Sequence, residues 1–138
     1  MRKQTLAVAV ALAISILAVG DCFARPGMLQ ANIPFAFEVG DKRLPAGQYQ
    51  IETVTTGSGT LQVIRQSNGG ADIFLSTIPV EVHDSNSRAK LVFHRYGSEY
   101  FLSQIWNGEG KVRRLNESKQ EKEAARNGSA IEVALSAR

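Results

Sequence analysis

The stretch KLVFHRYGSEYFLSQIW, residues 90–106, decides the fold. Two runs rich in aromatic and branched residues flank Gly97-Ser98, a dipeptide suited to a two-residue hairpin loop. So short a loop sets the register. Phe93 is expected opposite Leu102, Leu91 opposite Gln104, and Arg95 opposite Tyr100. On the other face Val92 should meet Ser103, His94 should meet Phe101, and Lys90 should meet Ile105. Both faces are partly apolar, so the hairpin is expected at the centre of the sheet, covered on each side.

Toward the N-terminus the same period of two continues. Ala31, Ile33, Phe35, Phe37 and Val39 alternate with polar or small residues and read as one half-buried strand. Pro34 lacks an N–H, which places that strand at an edge or at a bulge. Leu44-Pro45-Ala46-Gly47 has the residue preferences of a type I turn, and Tyr49, Ile51 and Thr53 begin a second strand. Gly57-Ser58-Gly59 and Asn68-Gly69-Gly70 delimit further strands over 61–65 and 72–77. Pro79 makes 78–82 a bend or an edge piece, and 83–87 (HDSNS) a polar loop.

Toward the C-terminus Asn107-Gly108-Glu109-Gly110 ends the hairpin, and 112–115 is a short strand. Residues 116–127 then turn strongly charged. Ser118 with Glu121 forms a capping-box pattern and Asn127-Gly128 a stop, predicting a short helix with only Ala124 and Ala125 apolar. Ile131, Val133 and Leu135 on alternate positions predict a closing strand.

These elements predict an all-β fold: a single small antiparallel β-sandwich or barrel of about seven to eight strands, with one short charged helix before the last strand. At 138 residues, with 43% hydrophobic and 21% charged residues and a net charge of +3, the chain fits one domain rather than a multidomain enzyme or a disordered tail.

The first 24 residues read as a signal peptide. Arg2 and Lys3 precede an uncharged run over 6–19 (LAVAVALAISILAV). As a helix at about 1.5 Å per residue it reaches only about 21 Å, short of a hydrocarbon core of about 30 Å. Cleavage after Ala24 is expected; cleavage after Gly20 and lipidation of Cys22 are the alternatives. Residues 25–138 would then be a single exported β-rich domain, periplasmic or secreted, with no membrane span after cleavage and no cysteine for a disulfide.

Little in the chain points to catalysis. His83 and His94 are the two histidines, too few to build a metal cage without cysteine, so no metal and no cofactor is expected. No serine lies in a G-x-S-x-G elbow, and turn chemistry accounts for Ser58, Ser67, Ser85, Ser87 and Ser98. Lys111, Arg113 and Arg114 form a basic cluster too small and too poor in aromatics for nucleic acid, and read as a solvated edge strand. Arg95, Tyr100 and Gln104 are expected on one largely apolar face of the hairpin, the pattern of a ligand-binding site.

Three motifs, Asn32-Ile33-Pro34-Phe35-x-Phe37, Leu44-Pro45-Ala46-Gly47-x-Tyr49 and the run 91–102, resemble a group of small exported bacterial proteins of unknown function. They comprise turns and core strands, so the resemblance implies export and a β-fold but no activity, and carries over no site. The meander with a late helix is also similar to a lipocalin-like barrel. It departs from that family in being short and in lacking a Gly-x-Trp near the first strand, Trp106 being far too late. The expected role is a non-catalytic binding or structural module of the cell envelope, with an envelope protein or a small ligand as partner. The alternatives are a carrier of a small apolar ligand and, last, a hydrolase.

Overall fold

The structure, a computed structural model, describes residues 28–83 and 87–138. Residues 1–24, the expected signal peptide, lie outside it. In chain order the elements are β1 (Met28–Ile33), β2 (Phe37–Val39), β3 (Lys42–Leu44), β4 (Gly47–Thr56), β5 (Gly59–Gln66) and β6 (Ile73–Glu81). There follow β7 (Lys90–Tyr96), β8 (Glu99–Trp106), β9 (Lys111–Leu115), α1 (Lys119–Asn127) and β10 (Ile131–Ser136).

The all-β expectation holds, but among the described residues ten strands form rather than seven or eight, and the sheet is not closed into a barrel. Pro34 accounts for part of the difference. The alternation over 31–39 is cut there, and the two halves join different neighbours: β1 pairs β4, while β2 pairs β3 and β8. Gly40, at φ 57°, turns the chain so that β3 follows β2 after two residues, a strand the sequence reading missed.

Two sheet halves share β6. Its first half pairs β5, continuing β1-β4-β5, and its second half pairs β9, continuing β9-β8-β7-β10. Pro79 lies in the second half, where β9 is the neighbour and β5 no longer reaches, so its missing N–H is tolerated without a break. All pairings are antiparallel except the single β2–β8 bridge, Glu38 to Phe101. Between β1 and the segment after β10, Gln30 and Arg138 exchange two backbone hydrogen bonds of 2.8 and 2.9 Å. They tie the ends together without making a ladder.

The core lies between the halves and changes character along its length. At one end Phe37 meets Tyr49 and Phe93 edge-on at 5.1 and 5.5 Å, and Phe35 stacks on Tyr100 at 3.7 Å. Such pairs add about 0.5–1.5 kcal/mol each beyond the area they bury. Ile51, Ile64 and Ile73 fill the middle. Beyond them the inward positions become polar.

The central hairpin forms over the expected residues, with Gly97 at φ 63°. Phe93–Leu102, His94–Phe101 and Arg95–Tyr100 pair as expected. A bulge between Val92 and Phe93 then shifts the rest, so Val92 faces Gln104, Leu91 faces Ile105 and Lys90 faces Trp106. The physical reason is packing. With the extra residue in β8, Leu102 and Ile105 both join the core, which strict alternation forbids.

The helix also departs from expectation. Ser118 caps it, accepting from the Glu121 N–H at 3.1 Å. Yet its buried residue is Glu121 rather than Ala124 or Ala125. The Glu121 carboxylate reaches the outer face of β7, where it meets His94 Nδ1 at 3.0 Å and Tyr96 at 3.4 Å.

Candidate functional site

The residues singled out in the sequence do not form one site. Arg95 and Tyr100 are cross-strand partners beside the aromatic end of the core. Tyr100 is taken up by its stack on Phe35, and Arg95 is half-buried with Nε lacking a hydrogen-bond partner. Gln104 has been carried by the bulge to the opposite face, with Lys90, Val92 and Trp106. There it accepts from the Trp106 indole at 2.9 Å, while Lys90 Nζ lies 4.2 Å above that ring. The expectation of a shared face is corrected: one inserted residue separates the three.

The two histidines are far from equivalent. His83 is exposed at the end of β6, whereas His94 is held by Glu121. Burial pushes the Glu121 carboxyl above its usual range, against the lowering effect of the His94 hydrogen bond. Among the described residues no group of three or more His, Cys, Asp or Glu side chains is placed to hold a metal ion.

The polar end of the core does form a site. Where β4, β5, β8 and β9 diverge, a cleft of about 480 Å³ opens between the sheet halves, within the usual range for small-ligand sites. Leu29, Ile51 and Ile105, all core residues, form its floor. Its walls carry inward-facing polar groups. Gln62 is paired across the sheet with Thr53 and Leu75, and only 1% of it is exposed. Its carbonyl accepts from the Thr53 hydroxyl at 3.2 Å, while its amide nitrogen has no hydrogen-bond partner among the described residues. Leaving such a donor unsatisfied costs about 1–3 kcal/mol, so the position is poorly explained as packing.

Arg113 faces Gln62's cleft from β9. It is paired with the core residue Ile105 and lies two positions from the core residue Leu115, which puts it on the inward row. Its Nη1 donates to Thr77 at 3.3 Å. The strand of the basic cluster is therefore not an edge, since β9 is flanked by β8 and β6; Lys111 and Arg114 are exposed as expected, and Arg113 alone of the three is half-buried. The alternation Lys111, Arg113, Leu115 carried this signal, but the inward sense of the row depended on Leu115 being core.

The mouth is shaped by local turn chemistry. Asn107 Oδ1 accepts from the N–H groups of Glu109 and Lys111 at 2.9 and 3.1 Å, folding the β8–β9 turn. Gly108, at φ 85°, comes so close to Ala89 that a Cβ would lie 3.1 Å from its backbone nitrogen. A larger hollow of about 660 Å³ lies between β1 and the C-terminal segment. Its Gln30, Asn32, Gln48 and Ser136 walls are exposed, and no orphaned buried group faces it.

No family model, no curated protein and no solved structure matches this chain.

Proposed function

We propose that the protein is an exported, non-catalytic binding module that takes a small ligand into the cleft between its sheet halves. The observation that carries this reading is Gln62. A fully buried amide with an unused donor, set over an apolar floor, is the arrangement of a site that orients a bound molecule. Export rests on the basic start and the uncharged run over 6–19. The non-catalytic part rests on how the imidazoles are used. His94 is engaged by Glu121, and no hydrogen bond among the described residues joins it to a serine or threonine hydroxyl.

The test is native mass spectrometry of the protein isolated from the cells that make it, followed by denaturation and extraction. A bound small molecule that is retained by the wild type and lost in Gln62→Leu is expected. An empty wild-type protein that instead captures a partner protein, unaffected by Gln62→Leu, would replace the cleft with a surface as the site. Turnover of a hydrolysable substrate, abolished by His94→Ala or His83→Ala without unfolding, would overturn the non-catalytic reading.

A further inference from the structure

We infer that the ligand is a small anionic amphiphile: its oxyanion headgroup, carboxylate or phosphate, is held by Arg113 and the Gln62 amide, and its alkyl part lies on Leu29, Ile51 and Ile105. The inference rests on the cleft being the binding site and adds the chemical class of what enters it. Three observations carry it.

The first is the charge of the lining. Lys111 and Arg113, on one row of β9, line the cleft together with a single acidic side chain, Glu109, so this wall carries a cationic excess. The second is the position of Arg113, half-buried on the inward row of β9 and, among the described residues, with a single side-chain hydrogen bond, to the neutral Thr77 hydroxyl. A guanidinium has five N–H donors in a planar fork, so most of its capacity is open to an oxyanion. The third is the graded interior. Along the inward row the lining passes from the exposed Thr55 and Thr53 through the buried Gln62 to the buried Ile51, so it grades from polar at the mouth to apolar in depth. A purely apolar ligand would strand the amide and the guanidinium, while a purely polar anion would make no use of the apolar side of the lining. An amphiphile satisfies both.

The experiment titrates the protein purified from cells expressing the full chain with laurate, dodecyl phosphate, dodecanol and inorganic phosphate, each followed by calorimetry below its micelle concentration. Laurate or dodecyl phosphate should bind roughly tenfold or more tightly than dodecanol, because hydrogen bonds to a charged group exceed those to a neutral one; the preferred one of the two identifies the headgroup. Inorganic phosphate should bind more weakly than either. Arg113→Gln should bring the anionic probe to the affinity of dodecanol and leave dodecanol itself unchanged, with the thermal midpoint confirming that the variant is folded. Lys111→Gln, at an exposed position, serves as a second variant and should produce a smaller loss. Equal binding of laurate and dodecanol, insensitive to Arg113→Gln, would overturn the anionic headgroup while leaving the cleft as the site. Failure of all the alkyl probes to bind would overturn the amphiphile altogether, and the small molecule extracted from the native protein would still decide the cleft.

Discussion

The carboxylate of Glu121 on α1 lies 3.0 Å from Nδ1 of His94 on β7, 27 residues earlier in the chain. The Tyr96 hydroxyl donates to the same oxygen at 3.4 Å. A capping-box glutamate would ordinarily turn back to its own N-cap. Here the Ser118 half of the box forms and the carboxylate goes to the sheet. This contact fixes an otherwise charged and poorly apolar helix to the outer face of the central hairpin.

Removing that contact should be costly for a helix with so little apolar anchorage. Glu121→Ala is expected to lower the unfolding free energy by about 1.5–3 kcal/mol, the range for hydrogen bonds to a charged group. Lys119→Ala, two residues away on the same helix and exposed, should change it by less than about 0.5 kcal/mol. Urea melts of the two variants give the comparison, and equal effects would remove Glu121 from its anchoring role.

The same residue makes stability depend on pH. Burial raises the Glu121 carboxyl above its usual 4.5, so the folded state holds this proton more tightly than the unfolded chain. The corresponding stabilisation is fully present below pH 4.5 and is lost as pH rises through the folded value. Glu38 is also raised, by burial first and by Glu99 second, and acts in the same direction. Asp72 is lowered by its hydrogen bond to Arg65, so its contribution is lost at lower pH, as the pH falls from 3.8 through the folded value. Glu121→Gln should therefore flatten the decline above pH 4.5 without changing the acid limb. Parallel profiles for wild type and variant would contradict this.

Phe93 has no exposed surface, and its ring lies 5.1 Å from Phe35 and 5.5 Å from Phe37. Its truncation leaves a cavity beneath the β2–β3 hairpin. Phe93→Ala should cost about 3–5 kcal/mol. Phe74→Ala, at a position 66% exposed, should cost far less. Chemical denaturation distinguishes the two, and comparable losses would mean that Phe93 is not the centre of the aromatic end.

At Gln62 binding and stability should part company. Replacing a buried amide that lacks a partner with an apolar residue of similar size removes an unmet hydrogen bond. Gln62→Leu is expected to keep or raise the thermal midpoint while weakening the ligand. A midpoint lowered in the ligand-free protein would identify Gln62 as a structural residue instead.

Arg95→Ala with Tyr100→Phe tests the face singled out in the sequence. Both residues lie at the aromatic end of the core, away from the cleft lining. The double variant should leave cleft binding unchanged within about twofold, a difference of less than about 0.5 kcal/mol. A larger loss in calorimetry with the fold intact would return the site to the hairpin.

Local pattern determined a good deal of this molecule. The period of two, the two-residue loop at Gly97-Ser98, the Ser118 cap and the pairing of Phe93 with Leu102 were all legible, because each depends on neighbours in the chain or on a turn of known length. What the sequence left open depended on contacts between distant segments. The bulge between Val92 and Phe93 arises where Leu102 and Ile105 both pack inward, so the face taken by Gln104 could not be read from β8 alone. Glu121 reads as half of a capping box until His94 is brought within reach. The cleft is the fullest case. Gln62 lies between Leu61 and Val63, where alternation gives no unambiguous inward face, and Arg113 stands in a basic run that resembles solvated surface. Only the meeting of β5 and β9 across the interior turns these two polar residues toward the same cleft, because burial is a property of which strands face one another and not of any strand by itself.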